Sequence, residues 1–588
     1  MSKLSSWKTI FCVCVFCAVA AIASPAQTFT TLANFDGTDG VNPYAGLVQG
    51  TDGNFYGTTF QGGADGGYQG TVFKVTPAGT LTTLHSFAGT DGAFPYAGLI
   101  QGTDGNFYGT TVEGGANNNC TSGCGTVFKI TLAGTLTTLH SFDGTDGNYP
   151  AAGLVQGTDG DFYGTTNVGG LGNNCADFQP TGCGTVFKIT AAGTLTTLHT
   201  FNFTDGYEPW ARLVQGTDGN FYGTTAEGVV GGDICGFGCG TVFKMTPAGT
   251  LTTLHAFEGP DGAFPQSALL QASNGEFYGT TAAGGAYDDC VPASFWCGTT
   301  FQITPTGTLT TVLSFDGADG SDPTAGLIQA TDGNFYGTTT TGGANDTCPG
   351  CYGTAFKLTP EGTLTTLYSF CSQTDCADGA GPNGGVFQAT NGTLYGTAFS
   401  GGAFNAGTVF SLSVGLGPFV EIEPTLGAVG AIVVILGNNL TGTTGVAFNG
   451  TAAAFEVLSS SEILTTVPTG ATTGIVQVTT PSGTFDSNVA FQVTSLENTP
   501  QAQIAILENT LEALVSGGTI SAGVGRLLLA QLNGALAALN AGHATEAIGE
   551  LNGFIVTVRL LVILRQLTPA GGNILIDAAH NIITAVRG

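Results

Sequence analysis

The chain has few basic residues: 12 Lys and Arg stand against 41 Asp and Glu, which gives a formal net charge of −29. Such an acidic surface repels nucleic acid and anionic lipid, so we expect neither as a partner. Charged residues make up only 9% of the chain, so its exposed polarity comes mostly from Thr, Asn, Gln and the backbone. The sequence also has no Gly-x-Ser-x-Gly elbow, no phosphate-binding loop and no zinc-ligand histidine pair.

Sustained helical periodicity is absent before residue 500, and a repeat is found there instead. Its core is Phe or Leu followed by Tyr-Gly-Thr, and successive copies lie 52 to 59 residues apart, with tyrosines Tyr56, Tyr108, Tyr163, Tyr222, Tyr278, Tyr336 and Tyr395. Each unit has four runs rich in β-branched and aromatic residues; in the first unit these are 45–49, 55–59, 70–75 and 80–87. The Asp52-Gly53 pair predicts a type I′ hairpin turn between the first two runs. Four antiparallel strands per unit are typical of a propeller blade.

The sequence repeats do not begin at the first strand of a predicted blade. The mature chain begins with 28–32, which matches a fourth strand, whereas the last unit, 385–412, stops after its third strand. We therefore predict that the first strand pairs with the last unit and closes a ring of seven blades, since closure removes exposed edges. An open solenoid would not need this offset and is the less favoured alternative.

The N-terminus is typical of a secretory leader, because Lys3 and Lys8 precede the apolar run 10–23. Removal of these two lysines with residues 1–26 would change the formal net charge from −29 to −31. The remaining cysteines form local pairs, which in an exported chain indicate disulfides: Cys120/Cys124, Cys175/Cys183, Cys235/Cys239, Cys290/Cys297, Cys348/Cys351 and Cys371/Cys376. For the Cys-x-x-Cys pair 348/351, redox or zinc chemistry is the less favoured alternative.

Two kinds of loop emerge on one face of a propeller: those between strands two and three, and those between blades. Here both are long, and we call this the stapled face, since five of the six cysteine pairs lie in its strand two–three loops. We expect any binding surface on this face. Each inter-blade loop carries Asp-Gly followed by Pro, and the aspartates are Asp39, Asp91, Asp146, Asp205, Asp261, Asp319 and Asp378. They either form an acidic rim for Ca²⁺ or a cationic ligand, or accept backbone N–H groups in turns, and sevenfold repetition favours turns.

Other repeated positions have competing interpretations. Aromatic residues on the inter-blade loops either stack on sugar rings or pack between blades, and packing is favoured; they are Tyr44, Phe94, Tyr96, Tyr149, Tyr207, Trp210 and Phe264. One equivalent position of the fourth strand varies among the seven units: it is His85, His140, His199 and His255 in four of them, and Ala33, Leu313 and Tyr368 in the other three. Because such different side chains are accepted there, we interpret it as a packing position and not as a general base. A glutamine found in every unit either bonds the backbone between blades or lines a channel: Gln49, Gln101, Gln156, Gln215, Gln271, Gln329 and Gln388. Trp210 and Arg212 are the most individual residues, because Arg212 is the sole arginine of the repeat region.

The units resemble the GloVer tandem repeats of exported bacterial proteins. The resemblance rests on Gln-Gly-Thr-Asp-Gly-Asn-Phe-Tyr-Gly-Thr-Thr at 49–59, Gly-Thr-Val-Phe-Lys at 70–74 and Leu-Thr-Thr-Leu at 81–84, and it covers 28 to about 415. It implies attachment to surface-retention modules but no known reaction.

Two further modules follow. Residues 419–494 contain short strand-like runs without Lys or Arg and suit an immunoglobulin-like sandwich. They resemble the IPT/TIG domain through Ile422-Glu423-Pro424-Thr425, Gly437-Asn438-Asn439-Leu440 and Val467-Pro468, which implies a spacer or an interaction domain. From residue 500 the periodicity is helical, and Ile504, Leu507, Leu511 and Leu514 share one face. This segment resembles the FIMAH helical domain through Leu551-Asn552-Gly553-Phe554-Ile555 and Ala578-Ala579-His580.

The sequence thus predicts a mainly β protein with a signal peptide (1–26), a seven-bladed β-propeller closed by the N-terminal strand (27–415), an IPT/TIG immunoglobulin-like domain (416–495) and a small helical FIMAH-like bundle (496–588). We expect a secreted or cell-surface protein with no integral membrane segment after signal removal, and no cofactor or metal unless the Ca²⁺ interpretation holds. The favoured function is non-catalytic binding or adhesion, in which the stapled loops meet an extracellular glycan or protein. The alternative is an extracellular carbohydrate-active enzyme, a hydrolase or lyase; the near equivalence of the blades disfavours it, because catalysis needs a locally unique cluster.

Overall fold

The computed structural model describes residues 27–64, 68–117, 119–170, 182–229, 235–287, 297–344, 352–493, 500–516, 520–567 and 569–587. The predicted signal peptide, 1–26, lies outside them. Within these ranges the chain is mainly β: seven four-stranded antiparallel sheets come first, and two further sheets and four helices follow. The predicted four strands per repeat are therefore confirmed.

The seven sheets are numbered in chain order. Sheet 1 contains β2 (Val48–Gln49), β3 (Phe55–Thr59), β4 (Thr71–Val75) and β5 (Leu81–Ser86). Sheet 2 contains β6 (Ile100–Gln101), β7 (Phe107–Thr111), β8 (Thr126–Ile130) and β9 (Leu136–Ser141). Sheet 3 contains β10 (Val155–Gln156), β11 (Phe162–Thr166), β12 (Thr185–Ile189) and β13 (Leu195–Thr200). Sheet 4 contains β14 (Val214–Gln215), β15 (Phe221–Thr225), β16 (Thr241–Met245) and β17 (Leu251–Ala256).

The remaining three sheets follow the same order of strands. Sheet 5 contains β18 (Leu270–Gln271), β19 (Phe277–Thr281), β20 (Thr299–Ile303) and β21 (Leu309–Ser314). Sheet 6 contains β22 (Ile328–Gln329), β23 (Phe335–Thr339), β24 (Thr354–Leu358) and β25 (Leu364–Ser369). Sheet 7 contains β26 (Val386–Gln388), β27 (Leu394–Ala398), β28 (Thr408–Ser413) and, as its fourth strand, β1 (Thr28–Asn34).

The first hairpin of each sheet differs in detail from the prediction. The first strand of sheet 1 has two residues rather than five, because Ala45 and Gly46 lie against sheet 7 instead of extending the ladder with β3. The predicted turn at Asp52-Gly53 is present, but only Gly53 has a positive φ, of 78°. The N–H of Gly53 donates to the carbonyl of Gly50, so the turn is a three-residue loop ending in a left-handed glycine and not the type I′ turn predicted.

The first strand of the chain pairs with the last repeat, as predicted from the phase. Phe29 lies opposite Leu412, and Thr31 lies opposite Phe410, in the antiparallel ladder between β1 and β28. The ring of Phe29 also stacks on Tyr368 of sheet 6, with centroids 3.8 Å apart. Sheet 7 is thus built from both ends of the repeat region.

Neighbouring sheets are joined by the repeated glutamine. Oε1 of Gln101 accepts the backbone N–H of Thr51 in the preceding sheet, while its Nε2 donates to the carbonyl of Gly105. The equivalent acceptor bonds are 2.8–3.0 Å long and link Gln156 to Thr103, Gln215 to Thr158, Gln271 to Thr217, Gln329 to Ser273, Gln388 to Thr331 and Gln49 to Thr390. The last of these joins sheet 1 to sheet 7. The glutamines therefore bond the backbone between sheets, which was the favoured interpretation.

Three predicted disulfides are present in the described part of the chain: Cys120–Cys124, Cys235–Cys239 and Cys371–Cys376. Cys183 and Cys297 are also disulfide-bonded. Their predicted partners, Cys175 and Cys290, lie outside the described residues, as do Cys348 and Cys351. These disulfides are compatible with an extracellular protein.

Two sheets follow the repeats and enclose one apolar core. The first contains β29 (Glu421–Glu423), β31 (Ile432–Leu436), β35 (Glu462–Thr466) and β34 (Phe455–Val457). The second contains β30 (Leu426–Gly427), β37 (Gly483–Val493), β36 (Gly474–Thr480), β32 (Gly445–Phe448) and β33 (Thr451–Ala453). The hydroxyl of Ser461 donates to the carbonyl of Thr51, and Asn438 bonds Thr390, so this unit lies against the tight turns that follow the first strands of sheets 1 and 7. The stapled-face loops lie at the other end of these strands.

The chain ends in helices α1 (Pro500–Ser516), α2 (Ala522–Asn540), α3 (Ala544–Ile563) and α4 (Pro569–Arg587). The predicted apolar face of α1 is buried, and it shares a core with Ile432 and Leu464 of the preceding unit. Ser521 caps α2 by accepting the N–H of Val524. Among the described helices, none combines the length and apolar character needed to cross a bilayer.

Candidate ligand-binding site

The seven predicted loop aspartates each accept a hydrogen bond within their own turn. Oδ1 of Asp91 accepts the N–H of Ala88 at 2.9 Å. Backbone N–H groups donate in the same way to Asp39, Asp146, Asp205, Asp261, Asp319 and Asp378. In the described part of the chain, no group of three or more His, Cys, Asp or Glu residues is arranged to hold a metal ion. The Ca²⁺ interpretation stays a prediction that these contacts do not support.

Four of these aspartates also bind a histidine, which the sequence analysis did not predict. Histidine Nε2 lies 2.7–3.1 Å from aspartate Oδ2 in the pairs His85–Asp91, His140–Asp146, His199–Asp205 and His255–Asp261. Tyr368 takes the histidine position in sheet 6, and its hydroxyl donates to Asp378. The constant spacing of six residues between His and Asp was the signal that could have identified the pairs.

The pKa values of two loop aspartates, Asp91 and Asp319, are shifted in opposite directions. Burial by itself would raise the pKa of Asp91, but hydrogen bonds from His85 and the backbone outweigh it and hold this pKa below its usual value. Leu313 takes the histidine position beside Asp319 and offers no donor. Burial, with a further contribution from the charge of Asp316, raises the pKa of Asp319 to about 6.

Asparagine substitutions at these two aspartates should therefore have opposite effects on stability. At pH 8 we expect Asp319→Asn to raise the free energy of unfolding by about 1 kcal/mol and Asp91→Asn to lower it by about 1 kcal/mol, since partial exposure weakens both effects. The folded pKa of Asp319 is raised, so the wild type regains stability as the pH falls from above 6 towards 4, and the gain from Asp319→Asn disappears. The folded pKa of Asp91 is lowered, so the loss from Asp91→Asn shrinks only below about pH 4.

Urea unfolding of both variants between pH 3.5 and 8 measures these profiles. The two aspartates occupy the same turn in different sheets, so each variant is the matched control for the other. Parallel pH profiles for the two variants would contradict the assigned role of the histidine.

A set of aromatic side chains converges where the inter-sheet loops enter the first strands. The rings of Tyr44 and Tyr96 stack with centroids 4.7 Å apart, and Tyr96 lies 5.7 Å from Trp210 of sheet 4. Tyr96 and Trp210 belong to sheets 2 and 4, and the equivalent residue of sheet 3 between them is the small Ala151. We call the whole set the aromatic cluster, and it consists of Tyr44, Phe60, Tyr96, Tyr149, Trp210 and Phe399. Packing between sheets, the favoured interpretation, is confirmed, yet the rings are only half-buried and still offer surface.

Carboxyl groups lie beside the aromatic cluster. The indole N–H of Trp210 donates to Glu208 at 3.3 Å. Burial, and then the charge of Glu208, raises the pKa of Glu227 to about 7. Burial raises the pKa of Asp322, in the loop before sheet 6, to about 6. Burial also raises the pKa of Tyr96, and the charges of Tyr44, Tyr149 and Asp322 contribute to this shift.

Three buried side-chain oxygens of the stapled-face loops have no hydrogen-bond partner among the described residues: Gln69 Oε1, Asn167 Oδ1 and Asn383 Oδ1. Asn383 occupies the repeat position of Tyr44, and Asn167 that of Phe60. Gln69 lines a cleft of about 710 Å³ beside Phe94 and Glu113. Buried acceptors without donors are costly, so these oxygens favour a ligand or water that donates hydrogen bonds.

Arg212 follows Trp210 by two residues and occupies a position that is Gly or Ala in the other six sheets. Its Cδ would lie 3.5 Å from a Cβ placed on Gly153, so the side chain extends across sheet 3. Desolvation lowers the pKa of Arg212, but its side chain is exposed to solvent. The structure thus places Trp210 in the aromatic cluster and Arg212 beside Gly153 of sheet 3, whereas the seven aspartates stay in their separate turns.

Several solved structures align with about two thirds of this chain, each at a TM-score below 0.5. A gluconolactonase from Xanthomonas campestris aligns over 67% of this chain and 92% of its own, at 12% identity and a TM-score of 0.31. An auxiliary nutrient binding protein from Bacteroides ovatus aligns over 66% and 96%, at 12% identity and a TM-score of 0.30. A carbohydrate-active enzyme of family AA12 from Trichoderma reesei aligns over 67% and 97%, at 12% identity and a TM-score of 0.32. Such neighbours are propeller-like; some are enzymes, and others are of unknown function.

No curated protein matches the chain. The sequence profile of the Gloeobacter/Verrucomicrobia repeat, in contrast, matches residues 18–179, 176–295, 237–457 and 293–526. These overlapping matches cover far more than half of the chain, and they extend beyond the end expected from the sequence, about 415. The chain therefore belongs to the Gloeobacter/Verrucomicrobia repeat family.

Proposed function

We propose that the protein is an exported, non-catalytic binding protein that takes up an extracellular glycan at the aromatic cluster. In this proposal residues 1–26 are a signal peptide, and residues 27–415 form a closed seven-bladed propeller. The pairing of β1 with β28 and the glutamine bond from Gln49 to Thr390 support closure, because they join the first and last repeats by the contacts used elsewhere.

The glycan proposal rests chiefly on the aromatic cluster. Rings from sheets 1 to 4 meet within 6 Å of one another and remain half-buried, as in the contact of Tyr96 with Trp210. Flat aromatic faces suit the apolar face of a sugar ring.

The two C-terminal modules serve as spacer and attachment in this proposal. Residues 416–495 would be an IPT/TIG immunoglobulin-like sandwich, and residues 496–588 a FIMAH-like bundle. Contacts of Ser461 and Asn438 hold the first module against the tight turns after the first strands. Attachment from that side leaves the stapled face directed away from the attached surface.

Replacement of Trp210 by alanine should weaken glycan binding about 30-fold, the effect of losing a central contact worth about 2 kcal/mol. A glycan array with the mature protein identifies ligands, and calorimetric titration of the best one measures the change. Phe404→Ala is the matched control, because Phe404 is an exposed aromatic residue of sheet 7 outside the aromatic cluster. Equal affinities of the two variants, or no binding to any glycan, would refute the proposal.

A carbohydrate-active enzyme is the second candidate, and one observation favours it. Burial raises the pKa of Glu227 to about 7 and that of Asp322 to about 6, and a carboxyl group with such a pKa suits a general acid. Hydrolysis and lyase assays on every glycan that binds would test it. Turnover that Glu227→Gln or Asp322→Asn abolishes, without a loss of binding, would establish the enzyme in place of the binding protein.

A further inference from the structure

Arg212 occupies a repeat position at which all six other sheets have a small residue. The equivalent positions are Gly46, Gly98, Gly153, Ala268, Gly326 and Gly385. Five of these small residues would bring a Cβ to within 4 Å of backbone from an adjoining sheet, so they mark where the first strands lie close together. Arg212 therefore places a long cationic side chain where the other sheets have almost none.

The guanidinium of Arg212 forms no hydrogen bond and no ion pair within 4.0 Å to any residue that the structure describes. The repeat lysines differ, because Lys188, Lys244 and Lys357 each lie within 3.1 Å of an aspartate. An arginine without a protein partner can form charge-assisted hydrogen bonds with an anion that arrives with a ligand. Arginine presents parallel N–H groups that match a carboxylate.

Trp210 places an aromatic surface beside this cation. Trp210 and Arg212 are two positions apart in the chain, so their Cα atoms lie no more than about 7 Å apart and both side chains can reach one sugar unit. Glu208 bonds the indole N–H and does not reach the guanidinium.

We propose that the ligand is a polysaccharide that contains uronic acid, and that Arg212 binds the carboxylate of one uronate while Trp210 packs on its ring. This inference rests on the proposed function and adds the chemical class of the glycan. A neutral sugar would leave the guanidinium unpaired, whereas a uronate supplies both the charge and the apolar ring face.

The test uses the mature full-length protein and short fragments of polygalacturonate, alginate and hyaluronan, each with its methyl-esterified form. The ester keeps the sugar but removes the charge. We expect at least one acidic fragment to bind about 10- to 100-fold more tightly than its ester, the range of a charge-assisted hydrogen-bonded pair. Arg212→Ala should abolish this preference, and Arg212→Lys should keep part of it, since lysine retains the charge but not the paired N–H groups.

Arg212→Ala should fold normally, because Ala268 occupies the same position in sheet 5. Arg526→Ala, at an exposed arginine of α2, is the matched control for the loss of one positive charge and should change nothing. Equal binding of acid and ester, a preference that survives Arg212→Ala, or failure of all three acidic fragments would overturn the inference. If all three acidic fragments fail but neutral glycans bind, and Trp210→Ala weakens that binding, the proposed function stands without the inference. If no glycan binds, both the inference and the proposed function are refuted.

Discussion

A protein that begins at Asp36, and so lacks β1, should lose roughly 5 kcal/mol or more of its folding free energy. Removal of this strand exposes Phe410 and Leu412 of β28, which are fully buried, and takes Phe29 from its stack on Tyr368. Each buried apolar side chain contributes about 1.5–3 kcal/mol, and an aromatic pair adds about 1 kcal/mol. The total approaches the whole stability of a typical domain, so we expect sheet 7 to open and the unfolding temperature, followed by circular dichroism, to fall sharply.

A peptide of residues 27–36 supplies the control for this deletion. Added to the truncated protein, it should occupy the open edge of β28 and raise the unfolding temperature, because strand addition restores both the ladder and the buried side chains. A scrambled peptide of the same composition should not. An unchanged unfolding temperature in the truncated protein would show that the first strand does not hold the repeats together.

Much of the fold follows from the sequence because each repeat encodes it locally. Alternating β-branched residues and turn glycines specify four strands in every unit, and the unpaired fourth strand at 28–32 specifies its partner in the last unit. The glutamines at the seams were also predictable, because an amide repeated in every copy beside an apolar strand needs the same hydrogen-bond partners in every copy. The length of the first strand and the type of turn were not predictable, because both depend on how closely Gly46 approaches the neighbouring sheet.

The candidate site was only partly predictable, because it forms between repeats. The sequence placed Tyr44, Tyr96 and Trp210 at one repeat position, but their contacts depend on the small Ala151 in the sheet between them. Comparison of the seven copies position by position shows this mixture of large and small residues. It does not show which rings touch each other, since sequence separation carries no information on distance across the repeats.

The glycine of the Tyr-Gly-Thr core is present in all seven repeats, and the packing around it explains why. A Cβ on any copy would lie 2.6–2.7 Å from Cζ of the buried phenylalanine in the third strand; the copies are Gly57, Gly109, Gly164, Gly223, Gly279, Gly337 and Gly396. Optimal carbon contacts are about 3.5–4.0 Å, so the ring occupies the space that a side chain would need. Close packing of two strands, and not a turn, therefore requires glycine here.

Gly223→Ala should accordingly destabilise the protein by about 3 kcal/mol, the upper range for overpacking. The added methyl group would lie 2.6 Å from Cζ of Phe243 and 2.8 Å from Cδ2 of Leu213, and neither buried side chain has room to move. Gly417→Ala is the matched control, because a Cβ there meets no described atom within 4 Å. Phe243→Leu should relieve the contact, so the double variant should lose less stability than the two single variants added together. Strictly additive losses in chemical unfolding, or a neutral Gly223→Ala, would contradict the packing of the ring on the glycine.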